Sequence, residues 1–252
     1  MSTLSILVLL AASFAAGIMN ALAGGGSFLT FPSLLLSGLN PLAANITSTI
    51  ALFPMQVSSG YAGRSLAGDA PQLSFKALFG LSLAGGIVGA FLLVETPPSF
   101  FERLVPWLIL FATAVFAYGS FVKKPSDLAG ESPVIGTRGA VICQLLISVY
   151  GGYFGGGIGF LMLAALTLAG MDIRKAGATK NILAAVMNAA AVVVFIALFF
   201  HKIGWAQVGI SAFGAILGGM IGVRCLHRVN ERILRIAVVC IGCALTIAMF
   251  VY

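Results

Sequence analysis

Charged side chains are scarce in this 252-residue chain, where Asp, Glu, Lys and Arg together make up 8% of the residues. A soluble protein carries about 25%, so most of this protein's surface cannot face water. Apolar residues account for 60% of the chain, and the mean hydropathy is +1.09. These values exclude a soluble enzyme, a nucleic-acid-binding protein and a secreted disulfide-stabilised domain. They predict a polytopic, all-α protein of the lipid bilayer.

Acidic residues are the scarcest charged type, and none of the 7 lies in the middle of an apolar run. A proton relay built on an intramembrane carboxylate is therefore not expected. No constellation of His, Glu and Asp has metal-ligand or catalytic spacing, and we expect both His201 and His227 to lie near helix ends at the membrane interface. Cys240 and Cys243 form a C-x-x-C inside an apolar run without a further thiol or His nearby, so we interpret them as small hydrophobic residues. The sequence predicts no enzyme, no metal site and no cofactor.

Basic residues outnumber acidic ones by 14 to 7, which gives a net charge of +7. Cytoplasmic loops of membrane proteins collect Lys and Arg, and this explains the excess without a nucleic-acid partner. The chain is apolar from Leu4 onward and lacks the basic region of a cleavable signal peptide. We therefore expect its N-terminus to remain in the mature protein.

Runs with few or no charges divide the chain into segments, at about 4–38, 42–63, 72–94, 104–122, 139–171, 175–200, 203–223 and 233–252. A helix of about 20 residues crosses a bilayer core, and most runs have that length. Runs 4–38 and 139–171 would instead form helices of about 50 Å. Three glycines interrupt each of them: Gly24, Gly25 and Gly26 in the first, and Gly155, Gly156 and Gly157 in the second. Because glycine favours a break in a helix, we predict two helical pieces joined by an irregular turn at membrane depth.

The two halves of the chain repeat each other with small insertions and deletions. Ala44-x-x-Thr47 matches Ala176-x-x-Thr179, and the same alignment pairs Thr49 with Asn181 and Gln56 with Asn188. Further on, Gly85-Gly86-x-x-Gly89 matches Gly218-Gly219-x-x-Gly222. The predicted organisation is an N-terminal transmembrane repeat over 1–122, a linker over 123–138 and a C-terminal transmembrane repeat over 139–252. Each repeat has about four helical segments, counting each glycine-broken run as one.

The distribution of basic residues discriminates between two topologies. If each glycine-broken run crosses once, the halves are parallel, and the 14 Lys and Arg residues divide almost evenly between the two sides. If each run forms a hairpin, the halves are inverted. In that case 12 of the Lys and Arg residues lie on one side of the membrane, and only Arg103 and Lys202 lie on the other. The second division is the one that the positive-inside rule favours. It predicts inverted repeats in the cytoplasmic membrane, with both termini external and the linker cytoplasmic.

The glycine breaks are candidate binding positions. Helices that restart after them, at about Ser27 and Ile158, would direct free N–H groups and positive dipole ends toward the midplane, which suits an anion. Broken helices at matching positions of two inverted halves are a sequence signature of a transporter site. The alternative is that these glycines only allow helices to pack closely.

Polar residues recur on one face of the helix that follows each break. The first helix carries Asn45, Ser48, Thr49 and Gln56, and the second carries Lys180, Asn181 and Asn188. Buried amides and an ammonium group should face protein or a water-filled path. Interhelical hydrogen bonding is the alternative, and Lys180 could instead extend to the headgroups. The candidate substrate-binding set is Gly24, Gly25, Gly26, Ser27, Asn45, Thr47, Ser48, Gln56, Gly155, Gly156, Gly157, Thr179, Lys180, Asn181 and Asn188.

Gly24-Gly25-Gly26 followed by Pro32, the Asn40-Pro41 turn and the stretch from Ala44 to Ser48 resembles the TauE/SafE sulfite exporter family, also called the TSUP transporters. The second glycine triplet, through Ala176-x-x-Thr179, is also typical of that family. The resemblance extends over the whole chain. It implies transport of sulfur-containing anions such as sulfite, thiosulfate or organosulfonates across the cytoplasmic membrane.

The prediction is a transporter of a small sulfur-containing anion that works by alternating access. An anion channel or uniporter with the same midplane site is the alternative. The expected partners are the small anionic substrate and the lipid bilayer, and a homodimer is left open. The sequence specifies neither the particular sulfur anion nor the direction of transport nor a coupling ion.

Overall fold

A computed structural model describes residues 1–22, 25–118, 121, 135–224 and 231–251, and within these ranges the regular structure is helical throughout. Helices α1, α4, α5 and α8 are long and apolar enough to cross a membrane. The all-α polytopic fold is thereby confirmed. The helices are α1 (Thr3–Leu22), α2 (Ser27–Leu36), α3 (Pro41–Gly63), α4 (Phe75–Glu95), α5 (Pro98–Ala117), α6 (Thr137–Tyr153), α7 (Ile158–Leu168), α8 (Ile173–Phe199), α9 (Trp205–Arg224) and α10 (Glu231–Val251).

Both over-long apolar runs are broken where the glycine triplets lie. The first run divides into α1 and α2, and the second into α6 and α7. Gly25 has φ 102°, and Gly155 and Gly157 have φ 75° and 74°, values that side-chain-bearing residues rarely adopt. Glycine therefore allows the chain to reverse within a few residues. Gly24 lies outside the described residues.

Helix α5 begins earlier than the charge pattern predicted. The expected run started at 104, after Glu102 and Arg103, whereas the helix starts at Pro98. Proline at the first helical position is compatible with a helix because its missing N–H would have no partner there. The two charged residues lie within the first turns of α5, so charge alone did not locate the helix start.

Helices α3 and α8 form the centre of the bundle and run antiparallel. A Cβ on Gly60 would lie 3.4 Å from Ile182, and one on Gly63 would lie 3.4 Å from Ala178. Because the numbers on α3 rise as those on α8 fall, the two helices point in opposite directions. They are the repeat-equivalent helices of the two halves, so this packing is in keeping with inverted repeats. The inverted arrangement relative to a membrane stays a prediction.

Small residues bring the outer helices against one another. Helix α1 packs along α9, where Gly218 lies directly against the backbone of Phe14, and α4 packs along α6 and α8. A Cβ on Gly86 would lie 2.7 Å from the carbonyl oxygen of Met187. The repeated Gly-Gly-x-x-Gly segments are therefore contact surfaces between helices, in which glycine permits close approach of backbones.

The two ends of the bundle differ in charge. One end, which we call the basic end, holds an apolar cluster that includes Ala70, Ala140 and Met171. The basic residues beside that cluster are Arg64, Lys76, Arg138, Arg174 and Lys175. Arg103 and Lys202 lie at the opposite end, beside the cluster that contains Phe101 and Ile203. Most of the 123–138 linker lies outside the described residues, and the membrane side of each end stays a prediction.

Candidate functional site

The two glycine turns meet beside the N-terminal half of α3. The Ser27 hydroxyl donates a hydrogen bond to the carbonyl oxygen of Gly155 over 3.2 Å. The Asn45 amide on α3 donates to the carbonyl oxygen of Tyr153 over 3.0 Å. The turns predicted independently in each half therefore contact each other, and a side chain of α3 holds one of them in place.

A cavity of about 410 Å³, counted with its opening to solvent, lies on one side of this contact. We call it the Lys180 cavity. It brings together residues of both glycine turns, the C-terminal half of α3 and the N-terminal half of α8. Its lining comprises Asn20, Gly25, Ser27, Leu52, Gln56, Ser59, Gly155, Ile158, Gly159, Lys180, Asn181 and Ala184.

Lys180 is a buried ammonium group, with 5% of its surface exposed. It lies two turns into α8, toward the basic end, and no acidic side chain in the described ranges neutralises it. A buried charge without an opposite charge is costly, and an anion in the cavity would compensate it. The position of Lys180 in the cavity lining therefore favours a negatively charged ligand.

Gln56 and Asn188, the pair that the repeat alignment predicted to be equivalent, contact each other across α3 and α8. The Asn188 amide donates to the Gln56 carbonyl oxygen over 2.6 Å. Gln56 lines the Lys180 cavity, whereas Asn188 lies behind it with 3% of its surface exposed. The Gln56 oxygen accepts this bond, and the Gln56 N–H₂ group can donate to a ligand, which suits an anion.

The N-termini of α2 and α7 also reach this cavity. Ser27 begins α2, Ile158 begins α7, and both line the cavity. The first amides of a helix have no carbonyl partner within that helix, and each N-terminus carries about half a positive charge. The cavity thus combines one full cation, two helix N-termini and several amide groups without a carboxylate in its lining.

A second cavity, of about 330 Å³ when its opening to solvent is counted, lies on the other side of the contact between the turns, and Ser27 lines both cavities. We call it the aromatic cavity. Its polar side chains are already paired: Asn45 bonds to Tyr153, and the hydroxyls of Ser48 and Thr30 bond over 2.6 Å. Its lining comprises Ser27, Phe28, Phe31, Pro32, Asn45, Ser48, Ile109, Phe154, Gly156 and Leu245.

Comparison with known proteins identifies the family of this chain. The model of the sulfite exporter TauE/SafE family matches residues 9–249. The chain belongs to the TauE/SafE family. It is 30% identical over 244 residues to a probable membrane transporter protein, ORF9, of Sinorhizobium sp., covering 96% of this chain and 90% of the relative. The probable membrane transporter protein YfcA of Escherichia coli K12 is 25% identical over 248 residues, which cover 97% of this chain and 89% of the relative.

A third relative, a probable membrane transporter protein of Haemophilus influenzae, is 27% identical over 244 residues, covering 96% of this chain and 93% of its own length. The family is described as sulfite exporters, and the three relatives are named probable membrane transporters rather than enzymes. This confirms the predicted family and the general class of the protein.

Two predicted site residues have other roles in this TauE/SafE protein. Thr47 accepts a hydrogen bond from the Gly204 amide over 3.1 Å, and Thr179 accepts one from the Gly68 amide over 3.1 Å. Neither threonine lines a cavity described above. Thr47 on α3 therefore holds the loop that follows α8, and Thr179 on α8 holds the loop that follows α3.

The remaining glycines of the triplets support the turns without lining the Lys180 cavity. A Cβ on Gly26 would lie 2.8 Å from the carbonyl oxygen of Ala16 on α1. Gly157 packs against the ring of Phe28, where an added Cβ would lie 3.2 Å away. Close packing, the alternative interpretation of the glycines, thus applies to these two positions.

Asn20 and Ser59 line the Lys180 cavity but were absent from the predicted site. Ser59 lies three residues beyond Gln56 on the same face of α3. Extending the predicted row of polar residues by one helical turn would therefore have included it. Asn20 lies in the last turn of α1, four residues before Gly24. Its position became apparent only when the fold showed where α1 ends.

Proposed function

We propose that this protein transports a small sulfur-containing oxyanion, such as sulfite, thiosulfate or an organosulfonate, across the cytoplasmic membrane. The Lys180 cavity is the observation that carries the proposal. Two helix N-termini, the Gln56 amide and a buried ammonium group converge there. Such groups stabilise an oxyanion through charge and N–H donors.

The charge balance of the cavity suits reversible binding. Each helix N-terminus contributes about half a charge, and Lys180 contributes one. A singly or doubly charged oxyanion would therefore be neutralised without a large excess of positive charge. Because a transporter must also release its substrate, we expect a Kd on the order of micromolar to millimolar.

Alternating access is the transport mechanism that the two cavities support best. The Lys180 cavity and the aromatic cavity lie on opposite sides of the contact between Ser27 and Gly155. A carrier needs such a barrier, which opens to one side at a time, whereas a channel needs a continuous path. Antiparallel α3 and α8 offer two halves that could move against each other around the barrier.

Uptake by proteoliposomes tests the proposal. Vesicles containing the protein are supplied with sulfite, thiosulfate, methanesulfonate, chloride or nitrate, and lipid vesicles without protein serve as the control. We expect protein-dependent uptake of at least one sulfur oxyanion, and slower uptake of chloride and nitrate. Uptake of none of the sulfur anions, or equal uptake of chloride, would contradict the proposed substrate class.

A further inference from the structure

Lys180 meets two environments during transport, one with an anion beside it and one without. Among the described residues that line the Lys180 cavity, only Lys180 has an ionisable side chain. Because 5% of it is exposed, a charge there depends on a partner inside the protein, and a bound anion is such a partner. In the empty cavity a buried ammonium group is costly, whereas a neutral amine does not carry that cost.

Two of the described carboxylates lie beside α8 at the basic end, and both are engaged elsewhere. Asp172 caps the N-terminus of α8, where its side chain accepts from two amides of the first turn. Lys180 follows it by eight residues, or about 12 Å of helix. Asp69, in the loop after α3, accepts from the amide of Phe75. Both carboxylates are exposed, so neither replaces a bound anion as the partner of Lys180.

The basic side chains near Lys180 oppose its charge. Those at its end of the bundle are Arg64, Lys76, Arg138, Arg174 and Lys175, and charges of the same sign repel. Arg64 lies over the ring of the exposed Tyr61 on α3. Glu95, His201 and Lys202 lie at the opposite end, at the far ends of α4 and α8. These neighbours therefore favour loss of the charge once the anion has left.

The remaining helices around the cavity add no ionisable group that faces Lys180. Helix α1 ends at the cavity and α7 begins there, and neither carries an ionisable side chain. On α6, the hydroxyls of Tyr150 and Tyr153 donate to Gly156 and Thr96, and Cys143 lines a separate apolar cavity. In the described part of the chain, Lys180 is thus left with the anion as its partner.

We propose that Lys180 carries a coupling proton, so that the transporter moves one proton together with each oxyanion. This rests on the proposed function and adds its coupling ion. As the anion enters, the lone pair of the neutral Lys180 Nζ accepts a proton from the aqueous phase through the cavity opening, and an ammonium–anion pair forms. As the anion leaves, Nζ gives the proton to water on the release side, and the empty carrier returns with a neutral amine.

Proton uptake on binding gives the affinity a defined pH dependence. At alkaline pH the anion-bound protein holds one proton more than the empty protein, so the Kd for thiosulfate should rise by up to about tenfold per pH unit. At acidic pH Lys180 is protonated in both states, and the Kd should no longer change with pH. Thiosulfate suits this test because it remains a dianion over this pH range and takes up no proton itself.

Isothermal titration in two buffers of different ionisation enthalpy counts the protons taken up per thiosulfate bound. We expect about one at alkaline pH and none at acidic pH, and this count on the wild-type protein requires no variant. Lys180→Arg keeps a positive charge at every pH, because a guanidinium group does not lose its proton. It should bind thiosulfate without proton uptake and with a Kd that does not depend on pH. Lys76→Arg, at an exposed lysine of α4, is the matched control and should keep the wild-type count.

A pH gradient tests the coupling during transport. Proteoliposomes with an alkaline interior are diluted into neutral medium containing labelled thiosulfate. Potassium and valinomycin hold the membrane potential at zero, because a dianion with one proton carries a net negative charge. Wild-type and Lys76→Arg vesicles should accumulate thiosulfate above its external concentration. Lys180→Arg vesicles should exchange thiosulfate without accumulating it.

The outcomes separate this inference from the proposed function. Proton uptake that Lys180→Arg removes and Lys76→Arg retains supports the coupling site. Thiosulfate binding without proton uptake at any pH, or proton uptake that persists in Lys180→Arg, would overturn the coupling site and leave the proposed function standing. If neither thiosulfate nor methanesulfonate binds, the proposed function and the coupling site both fail.

Discussion

Replacing Lys180 with Met tests the role of the buried ammonium group, because Met removes the charge while keeping an unbranched side chain of similar length. Hydrogen bonds to charged groups contribute about 1.5–3 kcal/mol. Lys180 is 95% buried, since only 5% of it is exposed, so solvent screens its interaction little. We therefore expect a loss in the upper part of that range, about 2–3 kcal/mol, or a roughly 30- to 150-fold weaker Kd for thiosulfate.

The same substitution makes a second, opposite prediction for stability. Without substrate, Lys180 has no acidic partner in the described ranges, so removing its charge removes a cost of burial. The unfolding temperature of ligand-free Lys180→Met should equal or exceed that of wild type. A lysine that only stabilised helix contacts would give the reverse, a lower unfolding temperature with unchanged substrate affinity.

Isothermal titration and thermal unfolding of the purified variants measure both quantities. Lys76→Met is the matched control, because Lys76 is an exposed lysine in the first turn of α4, at the same end of the bundle. It should bind thiosulfate as wild type does. Wild-type affinity in Lys180→Met, or an equal loss in both variants, would refute the assignment of Lys180 to the anion site.

Three further predictions concern the amides, the glycine turns and the topology. Gln56→Ala should weaken anion binding directly, and Asn188→Ala should weaken it by freeing the Gln56 oxygen. In isothermal titration we expect a loss of about 1–3 kcal/mol for each variant. Unchanged affinity in both variants would make this pair an interhelical contact only. Gly25→Leu is strained because Gly25 has φ 102°, and in Gly156→Leu the added Cβ would lie 2.6 Å from the Phe154 ring. Both variants should therefore insert into membranes but lose substrate uptake. Near-normal uptake in both would assign these glycines to helix packing. Cysteine labelling should find the 123–138 linker cytoplasmic and both termini external, and a label that places the N-terminus and the linker on one side would contradict inverted repeats.

Much of the fold was predictable because its signals are local. Apolar runs of bilayer length gave the long helices, and the glycine triplets located the breaks before α2 and α7. The start of α5 was not predictable from charge, because Glu102 and Arg103 lie within the helix, whose start depends on the Pro97-Pro98 pair. The antiparallel packing of α3 and α8 depends on contacts between distant residues. The repeat alignment made these helices equivalent and the division of basic residues favoured opposite directions, but neither determined the packing.

The candidate site was predictable in part for the same reason. Gln56, Lys180 and Asn181 stand out because polar residues are rare in apolar helices, and all three line the Lys180 cavity. Thr47 and Thr179 stand out equally in the sequence, yet their hydroxyls accept bonds from loop amides. Residue type alone cannot distinguish a ligand-facing hydroxyl from one that holds a loop, because the difference lies in the tertiary partner.

Counterflow in proteoliposomes tests the central claim, a carrier of sulfur oxyanions, most directly. Vesicles containing the wild-type protein are loaded with unlabelled thiosulfate and diluted into a trace of labelled thiosulfate, with Lys180→Met vesicles in parallel. A carrier that works by alternating access predicts a transient accumulation of label above its equilibrium level in wild-type vesicles, and a much smaller one in the variant. Label that rises only to equilibrium in wild-type vesicles would indicate a channel, and label that does not enter at all would contradict thiosulfate as a substrate.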